Sequence, residues 1–121
     1  MNATLRVKDF LGHILEAISR IESYTSSLDQ SSFESDVKTQ DAVIRNMEII
    51  GEACNNIRKH APDFARSHTE VPWASAIGNR NALSHGYFSV DLVLVWATVG
   101  QDLPKLKTAV ESLHADQALA S

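Results

Sequence analysis

The stretch LVLVWATVGQDLPKLKTAVESL, residues 92–113, decides the fold. Its large apolar side chains recur in steps of four and three, at Leu92, Trp96, Val99, Leu103, Leu106, Val110 and Leu113. That spacing places them along one side of a long α-helix, which Ser89 or Asp91 can cap. Pro104 lies inside the pattern, lacks a backbone N–H and would clash with the carbonyl of Gly100. We therefore predict a kink there, not necessarily a break.

Two earlier segments show the same helical spacing. Residues from about 5 to 24 form a first amphipathic helix, with the apolar positions Leu11, Ile14, Leu15, Ile18 and Ile21. After a polar loop, TSSLDQSS, a long helix is expected from about Phe33 to His60, where a capping box of Ser31 and Glu34 could begin it and Pro62 end it. Its apolar positions are Val43, Met47, Ile50, Cys54 and Ile57.

A shorter helix is predicted from Trp73 to Ser84, because Pro72 is a helix-start signal and Gly86 a plausible stop. Residues 63–72 show no clear period. Since 44% of the 121 residues are hydrophobic and only 7% aromatic, helix packing suits the composition better than a sandwich of strands. We predict an all-α, up-down bundle of four to five helices in one domain, residues 1–121, with a tail that frays from about Ala115.

Composition also limits the function. The net charge of -4 excludes a broad basic field, so any contact with nucleic acid must be local. The single cysteine, Cys54, lies in an apolar pattern and is expected to be inert, and the five histidines are scattered without a metal-ligand spacing. We expect no metal or cofactor. The chain shows no secretion signal and no apolar run of bilayer length, so we expect a cytoplasmic protein with no membrane partner.

The stretch GNRNALSHGYF, residues 78–88, carries the side chains most suited to chemistry. Arg80 and His85 are five residues apart, about 140° on an ideal helix, and converge only if the helix ends near His85. Asn81 and His85 are four apart and share a face. Histidine can exchange a proton with a ribose hydroxyl or leaving oxygen, and arginine can neutralise a phosphorane. A helix cap with a solvated surface is the alternative reading of these residues.

Four blocks in this order resemble the HepT-like ribonuclease toxins of the HEPN superfamily. They are DAVIRNMEIIGEA, the pair Pro72–Trp73, IGNRNALSHGYF with its Arg-x-x-x-x-His-x-Tyr spacing, and VDLVLVWATVGQDLPKLK. The resemblance implies a helical homodimer in which Arg80 and His85 of both chains line a shared cleft and cut RNA without a metal. Asn81 matches the polar residue commonly found beside the arginine.

The resemblance also implies a partner. Such toxins are encoded beside an MntA-like minimal nucleotidyltransferase, an antitoxin that transfers AMP to the motif tyrosine, here Tyr87. Arg45, Glu48 and Glu52 are further candidates for supporting the site or contacting RNA, although Arg45 could form a salt bridge and the two carboxylates a solvated stripe. The alternative function is a catalytically silent partner that binds RNA or nucleotide for the nucleotidyltransferase, and a third is a purely structural dimerisation module.

Overall fold

The computed structural model describes the backbone of residues 3–84 and 91–120 and the side chains of residues 6–78 and 91–117. Every element within these ranges is helical. The elements are α1 (Ala3–Thr25), α2 (Gln30–Glu34), α3 (Val37–His60), α4 (Pro62–Ser67), α5 (Trp73–Ser84), α6 (Leu92–Ala97), a π-helical turn (Thr98–Asp102) and α7 (Leu103–Ala120). The predicted all-α class is confirmed.

The long helices pack as an up-down bundle, in which α1 lies between α3 and α7 and α5 packs on the other side of α3. Phe10 of α1 stacks on His60 at the end of α3, and Glu22 of α1 accepts a hydrogen bond from Lys107 of α7 at 3.1 Å. Both pairs therefore run antiparallel. Most of the apolar positions predicted on the long helices form the core, and those at most 1% exposed include Leu11, Ile14, Ile18, Ile21, Val43, Cys54, Ile57 and Val110. The other predicted positions that are only half-buried against this core are Leu15, Leu92, Trp96 and Val99, and in α6 the buried residue is Val95.

The predicted long helix from Phe33 is two helices in the structure. Helix α2 ends at Glu34 and α3 begins at Val37, where the Asp36 carboxylate caps it by accepting the Thr39 N–H at 3.1 Å. The capping box of Ser31 and Glu34 is wrong. Asp29 caps α2 two residues earlier, accepting the Ser32 N–H at 2.8 Å, and its own N–H donates to the Ser32 hydroxyl at 2.9 Å.

Helix α4 fills part of the segment that showed no period. Pro62 ends α3 as predicted, and it also occupies the first turn of α4, where a missing N–H is tolerated. Six residues are too few to show a helical period in the sequence, which explains why the pattern did not predict α4. The indole N–H of the buried Trp73 donates to the carbonyls of Ala65 and His68 at 3.1 and 3.0 Å, and so ties the start of α5 to α4.

The predicted kink at Pro104 takes the form of a π-helical turn. The N–H of Leu103 donates to the carbonyl of Thr98, five residues back, so the helix is widened just before the proline. This wider turn accommodates a residue that cannot donate to the carbonyl four positions earlier. Helix α7 continues to Ala120, past the point where fraying is expected, and that motion stays a prediction. None of the described helices has the length and apolar character needed to cross a membrane.

Candidate active site

Helix α5 carries the first half of the motif. It spans Trp73–Ser84, the predicted bounds, and is fixed at its start by the Trp73 hydrogen bonds and in its middle by Ile77, which is buried. The backbone of Arg80 and Asn81 therefore lies in the second half of a well-anchored helix. His85 and Tyr87, with the predicted stop Gly86, lie outside the described residues, so their roles stay predictions.

Helix α6 anchors the chain on the other side of the motif. The Asp91 carboxylate accepts the N–H groups of Val93 and Leu94 at 3.1 and 3.2 Å, which confirms Asp91 as the cap, whereas Ser89 lies outside the described residues. Trp96 packs on the fully buried Phe33 of α2, with ring centroids 5.1 Å apart. Residues 85–90 thus join two helix ends that are each held to the bundle.

The packing of α5 on α3 gives the axial level of Arg80. A crevice of about 60 Å³ is lined by Met47 and Ile50 of α3 and by Pro72 and Ala76 around the start of α5. The start of α5 is tied through Trp73 to α4, which follows the C-terminal end of α3, so α5 runs back along α3 in the antiparallel direction. Arg80 is four residues beyond Ala76, or about 6 Å further along the axis. Its backbone is therefore level with about the third turn of α3.

The three supporting candidates lie on α3 at different levels. Arg45 is level with Arg80, is 67% exposed in its side chain, and contacts the half-buried Glu48 at 3.7 Å. At that distance and exposure the pair contributes little to stability, so the guanidinium can turn to a phosphate at small cost. Glu52 is exposed and lies seven residues beyond Arg45, about 10 Å along the helix. Arg45 is therefore the best placed of the three for contacting RNA.

No group of three histidine, cysteine or acidic side chains lies together as a metal site in the part of the chain that the structure describes. A hydrogen bond from its own backbone N–H, and to a lesser degree one with His68 at 3.0 Å, hold the pKa of Glu70 below its ordinary value. Burial raises the pKa of the Cys54 thiol to about 12, which agrees with the expected inert cysteine. Metal-independent cleavage of RNA would depend on His85, which lies outside the described residues, so it stays a prediction.

Asn46 is a buried polar residue that the sequence reading did not single out. It is 5% exposed, and its side-chain amide donates to the Ala42 carbonyl at 2.9 Å. Its Oδ1 atom has no hydrogen-bond partner among the described residues. A signal was present in the sequence, because an asparagine three residues after Val43 and four before Ile50 falls on the apolar side of α3. It lies in the same turn of α3 that is level with Arg80.

These helices define an all-α, HEPN-like bundle in which the motif begins in the second half of α5. Residues 14–113 match the family described as "Ribonuclease HepT-like", and the chain belongs to this family. It is 47% identical over 107 residues to "Probable ribonuclease HepT" of Thermococcus cleftensis, covering 88% of this chain and 94% of that protein. It is 41% identical over 105 residues to "Putative RNase MJ1380" of Methanocaldococcus jannaschii, covering 87% and 94%. No solved structure matches the chain.

Proposed function

We propose that this protein is a metal-independent endoribonuclease toxin that acts in the cytoplasm as part of a toxin–antitoxin pair. The observation that carries the proposal is membership of the HepT-like ribonuclease family over residues 14–113, a range that includes Arg80, Asn81, His85 and Tyr87. The two relatives named above have ribonuclease in their names. The anchoring of α5 and α6 supports the proposal, because a catalytic segment benefits from rigid elements at both ends.

The reaction would use the ribose as its nucleophile. The 2′-oxygen attacks the adjacent phosphorus while the bond to the 5′-oxygen breaks, which leaves a 2′,3′-cyclic phosphate and a 5′-hydroxyl. A base accepts the 2′-hydroxyl proton and an acid donates a proton to the leaving oxygen, both roles for which histidine is suited near neutral pH. Arg80 would stabilise the charge of the phosphorane, and Asn81 would hold His85 or the phosphate.

A homodimer would supply both the base and the acid. His85 of one chain and His85 of the partner subunit would face each other across a shared cleft, since one imidazole cannot serve both roles at once. Val93 and Leu94 support this arrangement, because they are 54% and 63% exposed in the first turn of α6, directly after the motif. Adjacent exposed aliphatic side chains are common in interfaces between subunits.

Neutralisation would act on Tyr87. An MntA-like nucleotidyltransferase antitoxin would transfer AMP from ATP to the phenolic oxygen and release pyrophosphate. Each AMP would add a negative phosphodiester and a base two residues from His85, so that it would repel RNA phosphates and occupy the cleft. A Tyr87→Phe variant is therefore expected to remain toxic when the antitoxin is present.

The test is cleavage of RNA by the purified, unmodified protein in the presence of a chelator. Total RNA and tRNA are incubated with wild type, with His85→Ala, and with His13→Ala as a control that removes an exposed histidine on α1. Cleavage by wild type and the control alone, with 2′,3′-cyclic phosphate ends, supports the proposal. No cleavage by protein whose mass shows a free Tyr87 would favour the alternative, a catalytically silent partner that binds RNA or nucleotide for the nucleotidyltransferase.

A further inference from the structure

A second cleft opens at the end of the bundle where α3 finishes. It has a volume of about 290 Å³ and is lined by Val7, His60, Ala61, Pro62, Asp63, Phe64 and Gln117. Helix α3 has 24 residues and a length of about 36 Å, and Arg80 is level with about its third turn. The cleft therefore lies roughly 20–30 Å from the motif and is a separate site.

The walls of this cleft have the chemistry that a nucleobase needs. Val7 is buried and forms an apolar floor, and the half-buried ring of Phe64 is one wall. The imidazole of His60 stacks on Phe10 with ring centroids 6.3 Å apart and planes 19° apart, which fixes a flat aromatic edge. Flat rings of this kind bind bases by stacking, with little dependence on sequence.

The side chain of Gln117 places a polar group beside these rings. The Gln117 side chain is half-buried, and it has no hydrogen-bond partner among residues 6–78 and 91–117. A carboxamide both donates and accepts, as the edge of a nucleobase does. The free amide and the aromatic walls together point to a planar, hydrogen-bonding ligand.

Two exposed cations lie at the same end of α3 as the cleft, although neither lines it. Arg58 and Lys59 are exposed in the last turn of α3, next to His60, and no carboxylate pairs with them in the described part of the chain. The one carboxylate that lines the cleft, Asp63, forms an ion pair with Arg66, so its repulsion of an anion is reduced. Cations in a last turn also complement the helix dipole, but that role does not account for the adjoining cleft with its free amide.

We infer that this cleft binds a nucleotide of single-stranded RNA at a distance from the point of cleavage. The base lies against His60 and Phe64 with its edge at Gln117, and the phosphate contacts Arg58 and Lys59. The inference rests on the proposed function and extends it, because it makes the substrate a single strand long enough to reach from the motif to the cleft. Short RNAs are then cut without this contact.

The test measures binding of 2′-O-methyl RNA, which lacks the attacking hydroxyl and so reports binding whether or not the protein cuts. Single strands of about 12 and about 4 nucleotides are compared by fluorescence anisotropy over a range of salt concentrations. The variants are Arg58→Ala/Lys59→Ala and Gln117→Leu. The matched control is Arg20→Ala/Lys107→Ala, which removes two cations already paired with Glu16 and Glu22.

For the longer strand, the double variant is expected to bind about tenfold more weakly and to lower the salt slope by about 1.4, the value for two phosphate contacts on single strands. Gln117→Leu is expected to weaken binding about fivefold without changing the slope. The cleft variants are expected to bind the shorter strand as wild type does, and the control variant is expected to bind both strands as wild type does. Equal affinity of wild type and both cleft variants for the longer strand would overturn the inference.

Competition with free 5′-AMP distinguishes a nucleotide within RNA from a free mononucleotide as the ligand of the cleft. Competition between AMP and the longer strand, lost in Gln117→Leu, supports recognition of an RNA nucleotide in the cleft. AMP binding that leaves RNA affinity unchanged would overturn RNA as the ligand. Because the binding assay needs no cleavage, a cleft-dependent affinity combined with no cutting of ordinary RNA would reject the proposed nuclease and retain the cleft.

Discussion

Trp73→Phe tests whether the hydrogen bonds of one indole fix the helix that carries Arg80. Trp73 is 7% exposed, and its N–H is shared between the carbonyls of Ala65 and His68 at the end of α4. Phenylalanine keeps an aromatic ring at the position but removes the donor and part of the volume. Both carbonyls keep a backbone partner, since Ala65 also accepts from His68 and His68 from Val71.

The expected loss follows from these two changes. The lost hydrogen bond contributes about 1 kcal/mol, because neither carbonyl becomes unpaired, and the smaller ring in a buried site adds about 1–2 kcal/mol. The sum is about 2–3 kcal/mol. An unfolding entropy of about 2.1 cal/mol/K per residue gives about 0.25 kcal/mol/K for a chain of this length. Tm is therefore expected to fall by about 8–12 °C.

The measurement is thermal unfolding followed by circular dichroism at the helix band, analysed as a two-state transition. Trp96→Phe is the matched control, because the described part of the chain offers its indole N–H no hydrogen-bond partner and its ring is only half-buried against Phe33. That variant is expected to lose about 1 kcal/mol, or about 4 °C. Equal falls in Tm for the two variants would refute the role assigned to the Trp73 hydrogen bonds.

Three further outcomes are expected. The Cys54 thiol, fully buried and with a pKa of about 12, should react with a disulfide reagent at pH 8 only after unfolding, as measured by absorbance. Hydrogen bonds from Ser32 and Thr39 hold the pKa values of Asp29 and Asp36 below their ordinary value of 3.8. The urea concentration at the unfolding midpoint should therefore be constant from pH 7 to 5 and decrease below about pH 4, and this decrease should be smaller in the Asp29→Asn/Asp36→Asn variant. Asn46→Leu should raise the free energy of unfolding by up to about 1 kcal/mol, because it removes a buried acceptor that has no partner among the described residues, whereas a loss above about 1 kcal/mol would contradict this.

The acid prediction follows from the direction of the pKa shifts. A carboxyl group with a lower pKa in the folded state binds protons more readily after unfolding. Its contribution is present above the unfolded value and is lost as the pH falls through the folded value. At Asp29 the Ser32 N–H and hydroxyl both donate to Oδ1, so asparagine accepts the same bonds without titrating and isolates the ionisation from the cap. At Asp36 asparagine still accepts the Thr39 N–H but loses the Thr39 hydroxyl bond to Oδ2.

Hydrophobic periodicity predicted the long helices well, because each buries a continuous apolar side. Ile14 and Val110 are fully buried, as their spacing requires. Periodicity failed for α2 and α4, which are five and six residues long and are held by caps and by tertiary contacts. Gln40 illustrates the difference, since its buried amide donates to the Phe33 carbonyl across the break between α2 and α3. The spacing of apolar residues does not predict a hydrogen bond of this kind.

The candidate site was less predictable than the fold. Spacing showed that Arg80 and His85 converge only near a helix end, and α5 carries Arg80 in its second half, whereas His85 lies outside the described residues. Spacing could not assign a role to Tyr87, which came from the resemblance alone. Spacing also could not show which of Arg45 and Glu52 lies nearer to Arg80, because both are on one amphipathic helix. Their levels relative to Arg80 depend on how α5 packs on α3.

The fold separates the residues that stabilise the bundle from those that would do chemistry. Trp73 fixes α5 and Phe33 fixes α6, and both lie in the core, outside the motif. Changes at these two positions should lower stability and activity together, and lowering the temperature or adding bound RNA should restore activity in part. A change at His85 should remove activity at every temperature with little effect on Tm. The loss of activity relative to the loss of stability therefore distinguishes a residue that acts on RNA from one that positions the motif.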